Sequence, residues 1–432
     1  MKQTDVAVIG GGAAGLVAAI SAARAGADTI LIEHMDRTGK KILSTGNGKC
    51  NYTNTLQGVS CYRGENPAFV VPIFKQFDSG DTIAFFEELG IRPKIKNGYY
   101  YPASEQASSV LDVLRMELAY LKVPELTSCE LSSIEKRGHT FVIESSQGKM
   151  EAKAVIFATG LLASPKTGSD GSAFPYIKKF GHHFIDIVPA LVQLRAKQSF
   201  FKALAGIRAE NLIKLYIDDA ETASERGELQ LTETGISGIP VFQLSRYATK
   251  ALLQKKKVYA RLDFMPDTEP DRLEAHMRLR FGRNARGKTA GEAMTGLLNK
   301  KLSAVLLKEA GIDMHLPAEK ISDRQRHHLC ALIKGLRADI TGSKTFEQAQ
   351  VCAGGIDTAE IENETLMSKL VPGLYFAGEL IDIDGICGGY NLQWAWSSGY
   401  VAGCHAAKAA AGKYNAGAAF MDKNRRGDVE TK

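Results

Sequence analysis

Apolar residues gather in short unbroken runs near both ends of the chain and spread into alternating or amphipathic patterns between them. The run DVAVIG (5–10) is too short for a helix and reads as a buried strand. A glycine turn follows, then AAGLVAAISAARAG, an alanine-rich helix ending near Gly26. DTILIE (28–33) is a second buried strand, so the chain opens on a βαβ unit. From 69 to about 122 the pattern is mostly helical, interrupted by an aromatic loop, NGYYYPASE. SCELSSIEK, HTFVIESS and KMEAKAVIFATG are β-rich runs joined at Arg137-Gly138 and Gln147-Gly148. They predict a small antiparallel meander whose last strand enters a glycine turn at Gly160.

The pattern shifts after VPALVQL (188–194). NLIKLYID, GELQLTE and KKVYARLDF read as strands flanking a helix over 237–253, and 271–334 is helical and charged. QAQVCAGGID and GLYFAGELIDIDGICGGYNLQWAWSSGYVAGCHAAKAAAG then restore the glycine-rich style of the N-terminus. The expected organisation is a discontinuous main domain (1–190 and 346–420), a β-rich insert (191–268 and 335–345) and a helical insert (269–334). The tail MDKNRRGDVETK is expected to be loose.

The motif Gly10-x-Gly12-x-x-Gly15 sits where that first strand meets its helix. Gly10 permits the tight turn, Gly12 lets a pyrophosphate approach the backbone, and Gly15 allows close packing. Ala13 and Ala14 open the helix, whose free amides attract an anion. Glu33 ends the second strand, where a carboxylate binds ribose hydroxyls, and His34 follows it. Strand, glycines, helix and terminal acid together predict dinucleotide binding.

Composition narrows the classes. The 42 glycines against 13 prolines suit tight loops around a ligand, and a net charge of +6 is too mild to mark a nucleic-acid protein. Seven cysteines without a CxxC pair predict free thiols, no metal site and a reducing cytoplasm. No uninterrupted apolar stretch is long enough to span a membrane, and MKQTD with the glycines after it is wrong for a signal peptide. Nothing fixes an oligomeric state.

The stretch KKILSTGNGKCNYTN (40–54) admits three readings. As a phosphate-gripping P-loop it fails, because Leu43 stands where glycine is needed and Cys50 where a hydroxyl is needed. As a nucleophile, Cys50 has Lys49 beside it and no assignable acid–base partner. As cofactor lining it fits best: it resembles the segment after the second strand of two-domain flavoproteins, which implies that Gly39, Lys40, Lys41, Thr45, Gly46, Asn47, Gly48, Lys49, Cys50 and Asn51 run past the pyrophosphate toward a flavin.

The distal glycine-rich block resembles the returning segment of FAD enzymes built like glutathione reductase and fumarate reductase. That resemblance assigns Gly378 and Glu379 to the ribityl–pyrophosphate region, and Gly389, Tyr390, Asn391 and Leu392 to a helix N-terminus facing the flavin. Ala158, Thr159 and Gly160 belong to the ATG turn. GKKILSTGNGKCNYTN, ATG…SPKTGSDG…PALVQL, AQVCAGGID and GLYFAGELIDIDGICGGYNLQWAWSSG resemble, in order, the bacterial aminoacetone-oxidase-like NAD(P)/FAD-dependent oxidoreductases, which include bile-acid enone reductases. The resemblance implies an α/β fold: a discontinuous Rossmann-like FAD-binding domain of the glutathione-reductase type, a β-barrel-like insert and a small helical sub-domain. Two departures stand out. Lys49 replaces the arginine of many members, and ATGLLASPKTG lacks the second glycine usual after ATG.

The expected activity is an FAD-dependent oxidoreductase moving a hydride between a substrate carbon and flavin N5. NAD(P)H is the expected transient donor, and a small molecule with an activated C=C the expected partner. The rivals are a small-amine oxidase using O2 and a tRNA-interacting flavoprotein, with nucleic acid not the preferred partner. Tyr390 is the candidate proton donor. Tyr99, Tyr100 and Tyr101 read first as aromatic packing, His182 and His183 as core or surface residues, and 278–288 as a solvated basic face. Trp394 and Trp396 cannot share a helix face, so at most one lines a pocket.

Overall fold

The computed structural model describes residues 2–412, so the tail MDKNRRGDVETK lies outside the described residues. Strand β1 (Lys2–Ile9) turns through the glycines into helix α1 (Ala13–Arg24) and returns as β2 (Thr29–Ile32). β1 pairs in parallel with β2 on one side and with Gly148–Phe157 on the other, Val8 lying opposite both Leu31 and Ile156. Such doubly flanked parallel strands are buried on both faces, which is why they appear as continuous apolar runs. The meander Leu131–Arg137, Thr140–Ser145 and Gly148–Phe157 extends the sheet, and Glu125–Leu126 adds a strand beyond β2. A segment from the far end of the chain, Leu374–Phe376, completes it by pairing in parallel with residues 155–157.

The long helix Tyr390–Ala410 lies on α1 through small residues. A Cβ on Gly399 would fall 2.4 Å from the Ala14 carbonyl oxygen, and one on Gly403 2.3 Å from that of Ala18. The two helices therefore run in the same direction at backbone contact. Trp394 and Trp396 are both buried, donating indole N–H to the carbonyls of Gly378 and Tyr52 at 2.9 Å each.

Between Ala190 and Val351 the chain leaves this core and builds a second one. Six strands, Leu194–Ala196, Gly235–Ser237, Ala220–Thr232, Arg208–Ile217, Val258–Asp263 and Leu336–Ser343, close into an antiparallel barrel. Helix Ile239–Leu253 falls where the apolar spacing placed it. Helices Pro270–Phe281, Lys300–Glu309 and Asp323–Gly335 share the barrel's apolar cluster.

One local reading changes. NGYYYPASE is not a loop but part of a hairpin, Pro93–Lys96 against Tyr99–Pro102, turned by Asn97 (φ 52°) and Gly98 (φ 83°). Two left-handed residues make the tight turn that suits strand twist.

Candidate functional site

A cavity of about 440 Å³ opens between β1, α1 and the long helix. Gly10 (φ 101°) bends the chain so closely over the neighbouring strand that a Cβ there would lie 2.7 Å from the Ala158 carbonyl oxygen. Gly15 is tighter still, 1.8 Å from the Gly10 carbonyl, so the turn and helix are locked as one unit. Gly12 differs: its Cβ would meet only one atom, 4.0 Å away. Packing does not require glycine there, and the open space faces the cavity.

The α1 N-terminus carries no side-chain cap and no acid in its first turn, so its orphan amides are free for an anion. Helix Tyr390–Ala410 likewise lacks a side-chain cap and a first-turn acid. Since Ala14 lies beside Gly399, the long helix begins roughly 12 Å further out than α1, at 1.5 Å per residue. One cavity thus meets two positive helix ends in succession.

Glu33 is 8% exposed and accepts from Gly11 N–H at 2.7 Å and Met35 N–H at 2.8 Å. His34 bridges it to Asp170, with contacts of 3.2 and 3.4 Å. Lys41 Nζ lies 2.7 Å from Glu379 Oε2, while Glu379 Oε1 accepts from Cys352 N–H at 2.7 Å.

Of the residues expected here, Gly10, Gly12, Ala13, Ala14, Glu33, His34, Gly39, Lys40, Lys41, Thr45, Ala158, Thr159, Gly160, Gly378, Glu379, Asn391 and Leu392 form the wall. Gly15 stands behind it as packing. Gly46, Asn47, Gly48 and Lys49 are exposed and are not among the wall residues, in a loop with left-handed backbone at the first three (φ 55°, 55° and 82°). Lys49 pairs instead with Glu105 at 3.2 Å.

Cys50 is fully buried, and burial pushes its thiol up to about 12, the Thr45 hydroxyl only partly offsetting this. It packs; it does not line. Asn51 supports the turn before the long helix, its amide oxygen accepting from Gly389 N–H at 3.2 Å and its NH2 donating to the Thr53 carbonyl at 2.9 Å. Gly389 is therefore occupied with that turn. Tyr390 is 3% exposed and stands edge-on to Tyr62, ring centroids 6.1 Å apart, and burial raises its phenol pKa.

Several wall residues escaped the sequence reading. Cys129, Glu130 and Leu131 close the end near Glu33, held by Cys129 N–H on the Glu33 carbonyl at 3.0 Å and Tyr176 O–H on the Leu131 carbonyl at 2.6 Å. Thr167, Gly168 and Ser169 also line it, a Cβ on Gly168 falling 3.6 Å from Glu33 Oε1, together with Gln350 and Val351. The SPKTGSDG motif contained the signal for the first group of these; no local signal marks 129–131.

The other candidates are placed away from the cavity. His182 is buried between Glu360 (3.0 Å) and Ser368 (2.8 Å), and exposed His183 pairs with Glu360 at 2.6 Å. Tyr99 and Tyr101 belong to the hairpin, and Tyr100 packs on Tyr52. No helix among the described residues is long and apolar enough to cross a membrane.

The arrangement fits FAD: uncapped amides for a pyrophosphate, a carboxylate at the end of β2 for a ribose, and a second helix end for a ring that gains negative charge. Comparison with known proteins agrees. The chain is 42% identical over 405 residues to the 3-dehydro-bile acid delta(4,6)-reductase of Clostridium scindens, covering 93% of this chain and 99% of that protein. It is 30% identical to the ribosomal RNA dihydrouridine synthase of Haemophilus influenzae, covering 92% of this chain and 97% of the other. To the Escherichia coli protein of the same name it is 27% identical, covering 93% and 97%. The model of the HI0933-like protein Rossmann domain matches residues 4–405, and the chain belongs to that family.

Proposed function

We propose that the chain is an FAD-dependent oxidoreductase that reduces a C=C bond conjugated to a carbonyl in an apolar, bile-acid-like substrate, with NAD(P)H as electron donor. The observation that carries this is the match to a named delta(4,6)-reductase across nearly the full length of both chains. The site geometry supports the cofactor. When bound, FAD supplies a centre that accepts and gives hydride.

The chain's own residues divide the remaining work. The α1 amides, beside open Gly12, hold the pyrophosphate, and Glu33 holds ribose hydroxyls. The first turn of the long helix, at Asn391 and Leu392, presents its positive end to the ring and favours the reduced, anionic form. The proton-donor role expected of Tyr390 is not carried forward, because its buried ring lies outside the cavity wall.

The test is anaerobic. NADH or NADPH should bleach the bound flavin, and a conjugated steroid enone should restore its colour. If neither nicotinamide bleaches the flavin while aminoacetone does, the amine-oxidase reading takes its place.

A second reading, reduction of a base within RNA, is favoured by one observation besides the two dihydrouridine synthases. Arg283, Arg286, Lys320 and Arg324 are exposed on the helical insert and form no salt bridge among the described residues. The backbone bond from Ala318 N–H to the Lys288 carbonyl, 2.9 Å, brings their two loops together. Retention of ribosomal RNA on filters at low salt, lost steeply as salt rises, would support it; no retention would remove it.

A further inference from the structure

The barrel helix Ile239–Leu253 meets the cofactor-side domain along a ladder of polar contacts. Lys250 Nζ lies 3.2 Å from Glu65, Tyr247 accepts from Arg63 Nε at 2.9 Å, and Gln243 accepts from Cys387 N–H at 2.8 Å. The central rung is the strongest. Arg246 donates Nε to Asp384 Oδ2 at 2.9 Å and Nη2 to Oδ1 at 2.8 Å, a two-pronged pair whose side chains are only 11% and 4% exposed. Such a fork fixes orientation as well as distance.

What Asp384 is attached to gives this pair its consequence. The next residue, Gly385, donates its N–H to Asn391 Oδ1 at 2.8 Å and accepts from Asn391 Nδ2 at 2.8 Å. The fit is close, since a Cβ on Gly385 would lie 2.7 Å from Tyr390 Cβ. Asn391 belongs to the first turn of the long helix and to the cavity wall. Both sides of its amide are therefore engaged in holding that helix end against the segment gripped by Arg246. The helix dipole acts over little more than its first turn, so the placement of this turn decides how strongly it is felt.

We propose that Arg246 is a positioning residue: through Asp384, Gly385 and Asn391 it sets the N-terminus of helix Tyr390–Ala410 against the cofactor, so that docking of the barrel tunes the cofactor's preference for its reduced form. The proposal rests on the FAD reading above. A residue that merely glued the two domains would change stability and leave that preference alone.

The test uses the full chain loaded with FAD, comparing wild type, Arg246→Lys, and the apolar pair Arg246→Met with Asp384→Leu. The lysine variant keeps the charge and loses the fork; the apolar pair leaves no buried charge alone. Midpoint potential, FAD affinity and melting of the FAD-free protein are read for each. In the apolar pair, reduced FAD should lose about tenfold in affinity relative to oxidised FAD, a midpoint about 30 mV lower for a two-electron couple. Arg246→Lys should fall between that pair and wild type. If both variants keep the wild-type potential while melting earlier, Arg246 is structural only and the proposal fails. If wild type itself binds no FAD, the functional reading fails first, and the two failures are told apart.

Discussion

Lys41 and Glu379, 338 positions apart in sequence, meet at 2.7 Å inside the cavity wall. The pair joins the loop after β2 to the segment returning from the barrel, and both side chains are largely shielded, at 24% and 18% exposure. Their coupling should exceed that of an open surface pair. A double-mutant cycle with Lys41→Met and Glu379→Gln, followed by urea unfolding, should give a coupling of about 1 kcal/mol. Strict additivity would show that the two groups act independently. Both single variants should also weaken FAD binding, because each loosens the same stretch of wall.

Cys50 should behave as packing. Its thiol is buried and held protonated, so alkylation of the folded protein at pH 8 should reach half-buried Cys387 and Cys404 first and spare Cys50 until the chain unfolds. Cys50→Ser should leave the flavin spectrum and turnover unchanged. Rapid labelling of Cys50, or loss of turnover in the serine variant, would return it to the list of chemically active residues.

His405 predicts an acid limb in the stability profile. Burial lowers its pKa from the ordinary 6.5 to about 4, with Lys408 adding to the effect, and its Nε2 lies 3.0 Å from Gln76 Oε1. The folded state resists protonation, so the unfolded state takes up the proton first as pH falls. Stability from this group is complete above about pH 6.5 and declines as pH drops toward 4. Melting temperatures from pH 7 to 4 should therefore fall less steeply in His405→Gln than in wild type; parallel curves would remove His405 as a cause.

The legible and illegible parts of the molecule divide along physical lines. β1, α1 and β2 were readable because a strand buried on both faces must be apolar throughout and a turn at φ 101° favours glycine. The family named from the ordered motifs is the one found. The wall at Cys129, Glu130 and Leu131 was not readable, since a backbone bond to Glu33 brings it there and any side chain could serve. The Lys41–Glu379 pair is equally invisible in sequence.

The loop at Gly46, Asn47, Gly48 and Lys49 was only partly legible for another reason. Its composition suits an anion-binding turn, and its backbone of three successive left-handed residues could not be read from composition. The hairpin at Asn97-Gly98 carried a recognised turn signal that the surrounding aromatics obscured.

The most direct test of the site compares two glycines three residues apart. Gly15→Ala would drive a methyl into the Gly10 carbonyl and should cost about 3 kcal/mol or more of stability. Gly12→Ala meets no such obstacle, and its φ of −79° and ψ of −169° suit alanine. Its FAD-free protein should therefore unfold within about 0.5 kcal/mol of wild type. If the space beside Gly12 admits the pyrophosphate, the decisive quantity is the FAD dissociation constant of Gly12→Ala. It should rise by about tenfold or more, a loss of at least 1.4 kcal/mol. FAD binding as tight as wild type in that variant would contradict the placement of the cofactor at the α1 N-terminus.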